Sequence, residues 1–398
     1  MPESFEGQLV EIDLDQDSRL AFAIRAPIDC RFRFSSWSEG LVYERFEDGI
    51  WQLEPLDCGF PLLELSKSYK DNTDVREFLS HIPDPIRASV EVFRYAQATL
   101  LHWIATNSSA ADLFGSAPTL LWLLIARQQA VEWPDDHVAR LLRSPRTKIL
   151  SAISGVGQRS GLTWLKKIEL EEGDRREHEV IINALRSEFY RSPCGQEPKI
   201  PIHWVKAAAE FPQLANTRAF HGFCKQHPQK TKDFSRDLRQ NAKFWVDALN
   251  VARMIDIADA EIALNRCIDF TAMRRLHDRW TDRLNQRQAL VVHGATPFPE
   301  PPIPGNENIH PITTLEDLQA EGRLMHHCVA AYEAPIRQGG CYIYRVLQPE
   351  RATVELRFAG NQVRVGQVQL AYNGRPSSET RVEIDSWLLA ASKQVRST

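Results

Sequence analysis

The sequence predicts an α+β protein with a small N-terminal antiparallel β region, a large central helical region, and a C-terminal α+β domain built on a short antiparallel meander. Three patterns carry that expectation. Strand-like alternation runs from Leu9 to about Leu65, helical periodicity replaces it from Asp74 to about Leu290, and three alternating runs follow a proline-rich stretch. The 398 residues suffice for one large core or two to three ordinary ones, and 43% hydrophobic with 25% charged residues is the composition of a globular protein, for which disorder is not the default. The expected divisions are 1–70 (β-rich), 71–295 (helical), 296–310 (connector) and 311–398 (C-terminal α+β).

In the first region Leu20–Ile24, Arg31–Phe34 and Leu41–Phe46 read as strands, broken by Ser35-Ser36 and Asp48-Gly49 turns. Arg31 and Arg33 alternate with Phe32 and Phe34, the pattern of a sheet with one buried and one solvated face.

In the helical region Pro83 and Pro85 precede the first long helix. Val90, Phe93, Ala96, Leu100 and Ile104 form one apolar stripe, and Leu120 to Ile125 is apolar all round, as a helix inside a bundle requires. Gly155-Val-Gly157 lacks the lysine and preceding strand of a phosphate-binding loop and reads as a helix connection. His221, Cys224 and His227 recur every three residues. That step drifts around a helix and no fourth ligand lies near, so no residue is assigned to a metal and no cofactor is named.

Basic residues then gather. Lys225, Lys230, Lys232, Arg236 and Arg239 face only Asp233 and Asp237. Arg275, Arg279, Arg283 and Arg287 fall four apart on one expected helix, beside a core-facing stripe of Met273, Leu276, Trp280 and Leu284. Stacked like charges cost about a few tenths of a kcal/mol per pair, so the stripe is either offset by Asp278 and Asp282 or used to track phosphates. With a formal charge of -4 and a pI near 6.3, any nucleic-acid contact must come from such a local face.

Pro297 to Pro304 forms an extended connector. Beyond it, Thr313 and Glu316 have capping-box spacing and Gly322 suits a left-handed cap, giving a short helix. A second helix is expected to start near Cys328, continuing through Val329, Tyr332 and Ile336. Free amides at its start would lower the Cys328 thiol pKa, with His326 or His327 as the partner base. The alternative is a buried cysteine acting as a small apolar residue.

The strands expected next are Cys341–Leu347, Ala352–Phe358 and Gln362–Ala371. In the second, Val354, Leu356 and Phe358 take one face and Thr353, Glu355 and Arg357 the other. In the third, Val363 and Val365 change parity to Val368 and Leu370, which a bulge at Gly366 would explain while re-aiming Gln367. Val382, Trp387 and Leu388 begin a closing helix.

Several of these residues together resemble the PcfJ-like family: Leu318, Glu321-Gly322, His327-Cys328-Val329, Tyr332, Gly339, Tyr342-Ile343-Tyr344, Glu350-Arg351-Ala352-Thr353, and Gln367 with Asn373. The motif covers roughly the last quarter of the chain, and Leu276-His277-Asp278 adds a weaker upstream element. Ala330-Ala331 departs from the small-residue-plus-glycine pair commoner there. The resemblance implies a protein of bacterial conjugative plasmids, phages or other mobile elements, and it supplies no activity.

Two function classes follow. One is a PcfJ-like accessory protein of a mobile genetic element, acting on or near DNA or RNA through Arg275, Arg279, Arg283 and Arg287, and working with other proteins of the same element. The other is an enzyme or ligand-binding protein whose site is His327, Cys328, Tyr332, Gln367 and Asn373. An antiparallel sheet after a helix-borne cysteine is the layout of papain-like thiol enzymes. No histidine follows Cys328, however, so thiol chemistry would draw on His326, His327 or His277. No basic segment followed by an apolar run opens the sequence, and Ala117 to Ala126 is about half a bilayer span. Seven scattered cysteines without a C-x-x-C pair fit reduced thiols. A cytoplasmic protein without a membrane span is expected.

Overall fold

The computed structural model describes residues 10–24, 30–53, 61–187, 192, 194–289, 297–359, 362–371 and 374–395. The fold is α+β, with antiparallel sheets near both ends and helices between. Contacts divide the chain into two compact units, one of 1–216 with 224–235 and one of 217–223 with 236–398.

The first unit starts with a five-stranded antiparallel sheet in sequential order: β1 (Val10–Leu14), β2 (Leu20–Ile24), β3 (Cys30–Phe34), β4 (Tyr43–Glu47) and β5 (Ile50–Leu53). Its alternation is the expected one. Phe22, Phe32 and Phe34 are buried, with Phe22 and Phe32 stacked at 4.8 Å, while Arg33 on the other face pairs with Glu44 at 2.6 Å and lies over the Trp51 ring. The Val90 to Ile104 stripe is buried throughout. It is not one helix, because Ala96 adopts a left-handed conformation (φ 57°) just before α1 (Gln97–Thr106). Leu120 to Ala126 of α2 (Pro118–Val131) are at most 2% exposed, the central bundle position their composition requires. Helix α3 (Arg175–Arg186) presents His178 to the edges of Tyr95 and Trp122. A two-stranded parallel pair, β6 (Ile168–Glu169) and β7 (Ile200–Pro201), links the later helices.

The second unit is organised around a four-stranded antiparallel sheet of order β11-β10-β9-β8. Its strands are β8 (Ile309–Pro311), β9 (Cys341–Val346), β10 (Ala352–Ala359) and β11 (Gln362–Gln369). The meander matches the expectation, and β8 adds an edge that three residues around a proline could not announce. Leu356 pairs with Val365 while Glu355 pairs with Gln367, which leaves Gly366 as the extra residue of a bulge. The bulge returns Val363, Val365 and Val368 to one face. That face also holds Tyr342, Tyr344, Val354 and Leu356 and is covered by α8 (Ser378–Val395), whose Trp387 meets the Tyr344 ring at 4.9 Å and donates to the Pro304 carbonyl.

The opposite face carries Ile343, Thr353 and Glu355 and is also buried. Above it lie α6 (Leu315–Met325), a 3-10 turn over Cys328–Tyr332, and α7 (Glu333–Arg337). Two boundaries differ from expectation. Thr314, not Thr313, caps α6 by accepting from the Asp317 amide, and the helix runs through Gly322 to end on left-handed His326. Two long helices complete the layer: α4 (Phe234–Met254) and α5 (Phe270–Ala289). Met273, Trp280 and Leu284 of α5 are buried as expected, and Leu276 is half-buried.

Candidate functional site

Glu321 fastens α6 to the sheet. Its carboxylate is 1% exposed, accepts from Arg351 and from the Thr353 hydroxyl (2.5 Å), and lies 3.4 Å from Arg345 Nε. This anchorage fixes where α6 ends. It places His327 and Cys328 over the Thr353–Glu355 face of β10.

Cys328 is buried at the start of the 3-10 turn, and its thiol donates to Asp247 of α4, at 3.3 Å from Oδ1 and 3.5 Å from Oδ2. Asp247 Oδ2 is also 3.1 Å from His277 Nε2, on the buried side of α5. The other ring nitrogen, Nδ1, sits 3.3 Å from Asp278 Oδ1, and the Thr281 hydroxyl lies 3.5 Å from Nε2. Burial, the largest single influence on His277, disfavours its charge. Hydrogen bonds and attraction from Asp247 and Asp278 outweigh that and lift its pKa to about 9, so both ring nitrogens donate at neutral pH.

The thiol moves the other way from the expected depression. Burial and then the Asp247 charge push the Cys328 pKa well above its ordinary value, so the group is a protonated donor. A five-residue 3-10 turn offers too weak a dipole to reverse this. His327 also differs from an ion-pair partner: at 3% exposure, burial and then the Arg351 charge lower its pKa to about 4, leaving it neutral.

A small pocket of about 30 Å³ opens beside Cys328, lined by His327, Tyr332, Thr353, Glu355, Gln367 and neighbours. Tyr332 is half-buried, and burial followed by the Glu355 charge raises its phenol pKa. Glu355 is 5% exposed; its Oε1 accepts from Arg357 at 2.8 Å. Its Oε2 and His327 Nε2 are buried without a hydrogen-bond partner among the described residues. A Cβ on Gly366 would sit 2.5 Å from that Oε2, so the bulge glycine makes room for the carboxylate. Gln367 stands exposed at the rim, held by Gln369 at 2.9 Å.

The structure therefore brings His327, Cys328, Tyr332 and Gln367 to one pocket, together with Glu355; Asn373 lies outside the described residues. His277 supplies the helical-region histidine that the sequence reading considered. Asp247, 81 residues before Cys328, was missed, and no local spacing signals it.

The basic residues separate into paired and unpaired sets. Lys225 pairs with Glu197 and Lys230 with Glu171, so much of that cluster is neutralised. Arg275, Arg279 and Arg283 are exposed on α5 and have no ion pair among the described residues; Arg287 belongs to the same helix, its side chain outside the described residues. Asp278 is engaged by His277 and Asp282 by His326 at 3.4 Å. Cys224 lies buried beside Cys194, which engages its thiol and, after burial, raises its pKa.

Residues 244–384 match the family described as PcfJ-like protein, a span containing Asp247, His277, Cys328 and the whole pocket. No curated protein and no solved structure matches the chain. Among the described residues, no helix is long and apolar enough to cross a membrane.

Proposed function

We propose that the chain is a cytoplasmic PcfJ-like accessory protein of a bacterial mobile genetic element, plasmid or phage, acting on nucleic acid through the exposed face of α5. One observation carries the reading. Arg275, Arg279 and Arg283 stand exposed one turn apart, and the two acids best placed to neutralise them are held by histidines. Three charges with no ion pair among the described residues, at a helical repeat of about 6 Å, approach the spacing of successive phosphates on an extended strand. The association with a mobile element, and with its other proteins as partners, rests on the family resemblance of residues 244–384.

The test is salt-dependent binding of the whole chain to DNA and RNA duplexes and single strands. Each phosphate contact contributes about 0.9 to the slope of log K against log salt on B-DNA, so Arg279→Ala with Arg283→Ala should lower that slope by about 2. Unchanged binding by the double variant would refute this face as the contact.

A second reading, a ligand-binding or enzymatic site, is favoured by the convergence of His327, Cys328, Tyr332, Glu355 and Gln367 on one pocket. It predicts a ligand whose binding is lost on Cys328→Ala and unaffected by the arginine substitutions.

A further inference from the structure

We propose that Asp247, His277 and Cys328 form a binding site for a divalent transition-metal ion of the zinc class. The inference is independent of the arginine face. It begins with donor chemistry: a carboxylate, an imidazole and a thiol, each from a separate element, place one ligand atom apiece within 4.8 Å of one another. Sulfur and nitrogen donors with one carboxylate select zinc-like ions over magnesium or calcium, which take oxygen.

The distances are close to those the ion needs. Metal–sulfur bonds of about 2.3 Å and metal–nitrogen or metal–oxygen bonds of about 2.0–2.2 Å put neighbouring tetrahedral ligands about 3.4–3.6 Å apart. Asp247 Oδ2 is 3.1 Å from His277 Nε2 and 3.5 Å from Cys328 Sγ. These two separations need shifts of a few tenths of an ångström, and the third pair, His277 Nε2 and Cys328 Sγ, lies within 4.8 Å and must close to the same spacing as the ion binds. Carboxylate and thiolate then balance the two charges of the ion, while the thiol proton and the proton between the imidazole and Asp247 leave to solvent.

The surroundings supply the remaining parts. Asp278 accepts from His277 Nδ1, the outer-sphere carboxylate that holds a ligating histidine in the tautomer with Nε2 free to bind. Cys328 belongs to both the cluster and the wall of a pocket of about 30 Å³, space for about one water. Glu355 and His327 line that space, both side chains more than nine-tenths buried, and each has one polar atom, Oε2 and Nε2, without a partner among the described residues. A water or hydroxide in the fourth coordination position would give them something to bond.

The test uses the full chain, stripped with a chelator and titrated with Zn²⁺ in competition with a chromophoric chelator, and with Co²⁺ read by absorption. The expected result is saturable binding of one ion and a sulfur-to-cobalt charge-transfer band in the unaltered protein. Cys328→Ser should abolish the band, Cys267→Ser should leave it, and Asp278→Asn, which keeps all three ligands, should weaken Zn²⁺ about 10- to 100-fold. Absence of the band in the folded unaltered protein would overturn the site, and so would undiminished binding by Cys328→Ser or Asp247→Asn. Nucleic acid enters none of these measurements, so their outcome does not depend on that of the arginine variants.

Discussion

Substituting Glu321 by glutamine tests whether the junction of α6 and β10 is a charge-assisted clamp. The side chain keeps its shape and one acceptor for the Thr353 hydroxyl, but it loses the charge facing Arg351 and Arg345 and turns a donor toward one of them. Removing one partner of a fully buried ion pair costs about 3–5 kcal/mol. The arginine side chains here are 29% and 30% exposed, and Arg351 keeps the carbonyls of Val346 and Ala352 as acceptors, so water and backbone recover part of that cost. A loss of about 2–3 kcal/mol is the result. Hydrogen exchange of peptides within 341–359 reads the second unit by itself, and the loss corresponds to protection lowered about 30- to 150-fold. Replacing the pair together, Glu321→Gln with Arg351→Met, should recover much of it, because the Arg351 charge goes with its partner and Arg345 keeps Asp317 at 3.4 Å. A single-variant effect below about 1 kcal/mol would refute the clamp and reduce Glu321 to a packing residue.

His178 makes the first unit acid-sensitive. Burial lowers its pKa from 6.5 to about 4, so the unfolded chain takes up a proton between those values that the folded chain refuses. The contribution is fully present above pH 6.5 and falls by up to about 3 kcal/mol as pH drops toward 4; His178→Phe should flatten that dependence in urea unfolding at pH 7 and 4.5, and an unchanged pH slope would refute the assignment. Cys328 in metal-stripped protein should resist alkylation at pH 6 to 8 while partly exposed Cys30 reacts, and should react after denaturation. Mass spectrometry showing rapid modification of Cys328 in the folded protein would mean that its pocket opens.

Much of the fold was legible because its causes are local. Leu120 to Ile125 could only be a central helix, since no face of it tolerates water, and the parity change from Val365 to Val368 required an extra residue, which Gly366 supplies. The arginine stripe of α5 was readable from four-residue spacing alone. Helix ends were less so. Thr313 and Thr314 offer the same hydroxyl, and only the tertiary setting chose the second; Gly322 looked like a terminator, yet Glu321 beside it is bound to the sheet and the helix continues to His326.

The candidate site divides along the same line. Sequence grouped His327, Cys328, Tyr332, Gln367 and Asn373 as one candidate site through the motif, and strand parity set Glu355 on the same face as Thr353. It did not find Asp247, because a contact across 81 residues leaves no periodic trace. That contact also decided the chemistry. An expectation built on local backbone dipoles lowered the thiol pKa, whereas burial and a carboxylate 3.3 Å away raise it. Residue type and spacing determined which groups are present; only the packing of α4 and α5 against the Cys328 turn determined which charges they feel, since desolvation and Coulomb terms depend on neighbours in space.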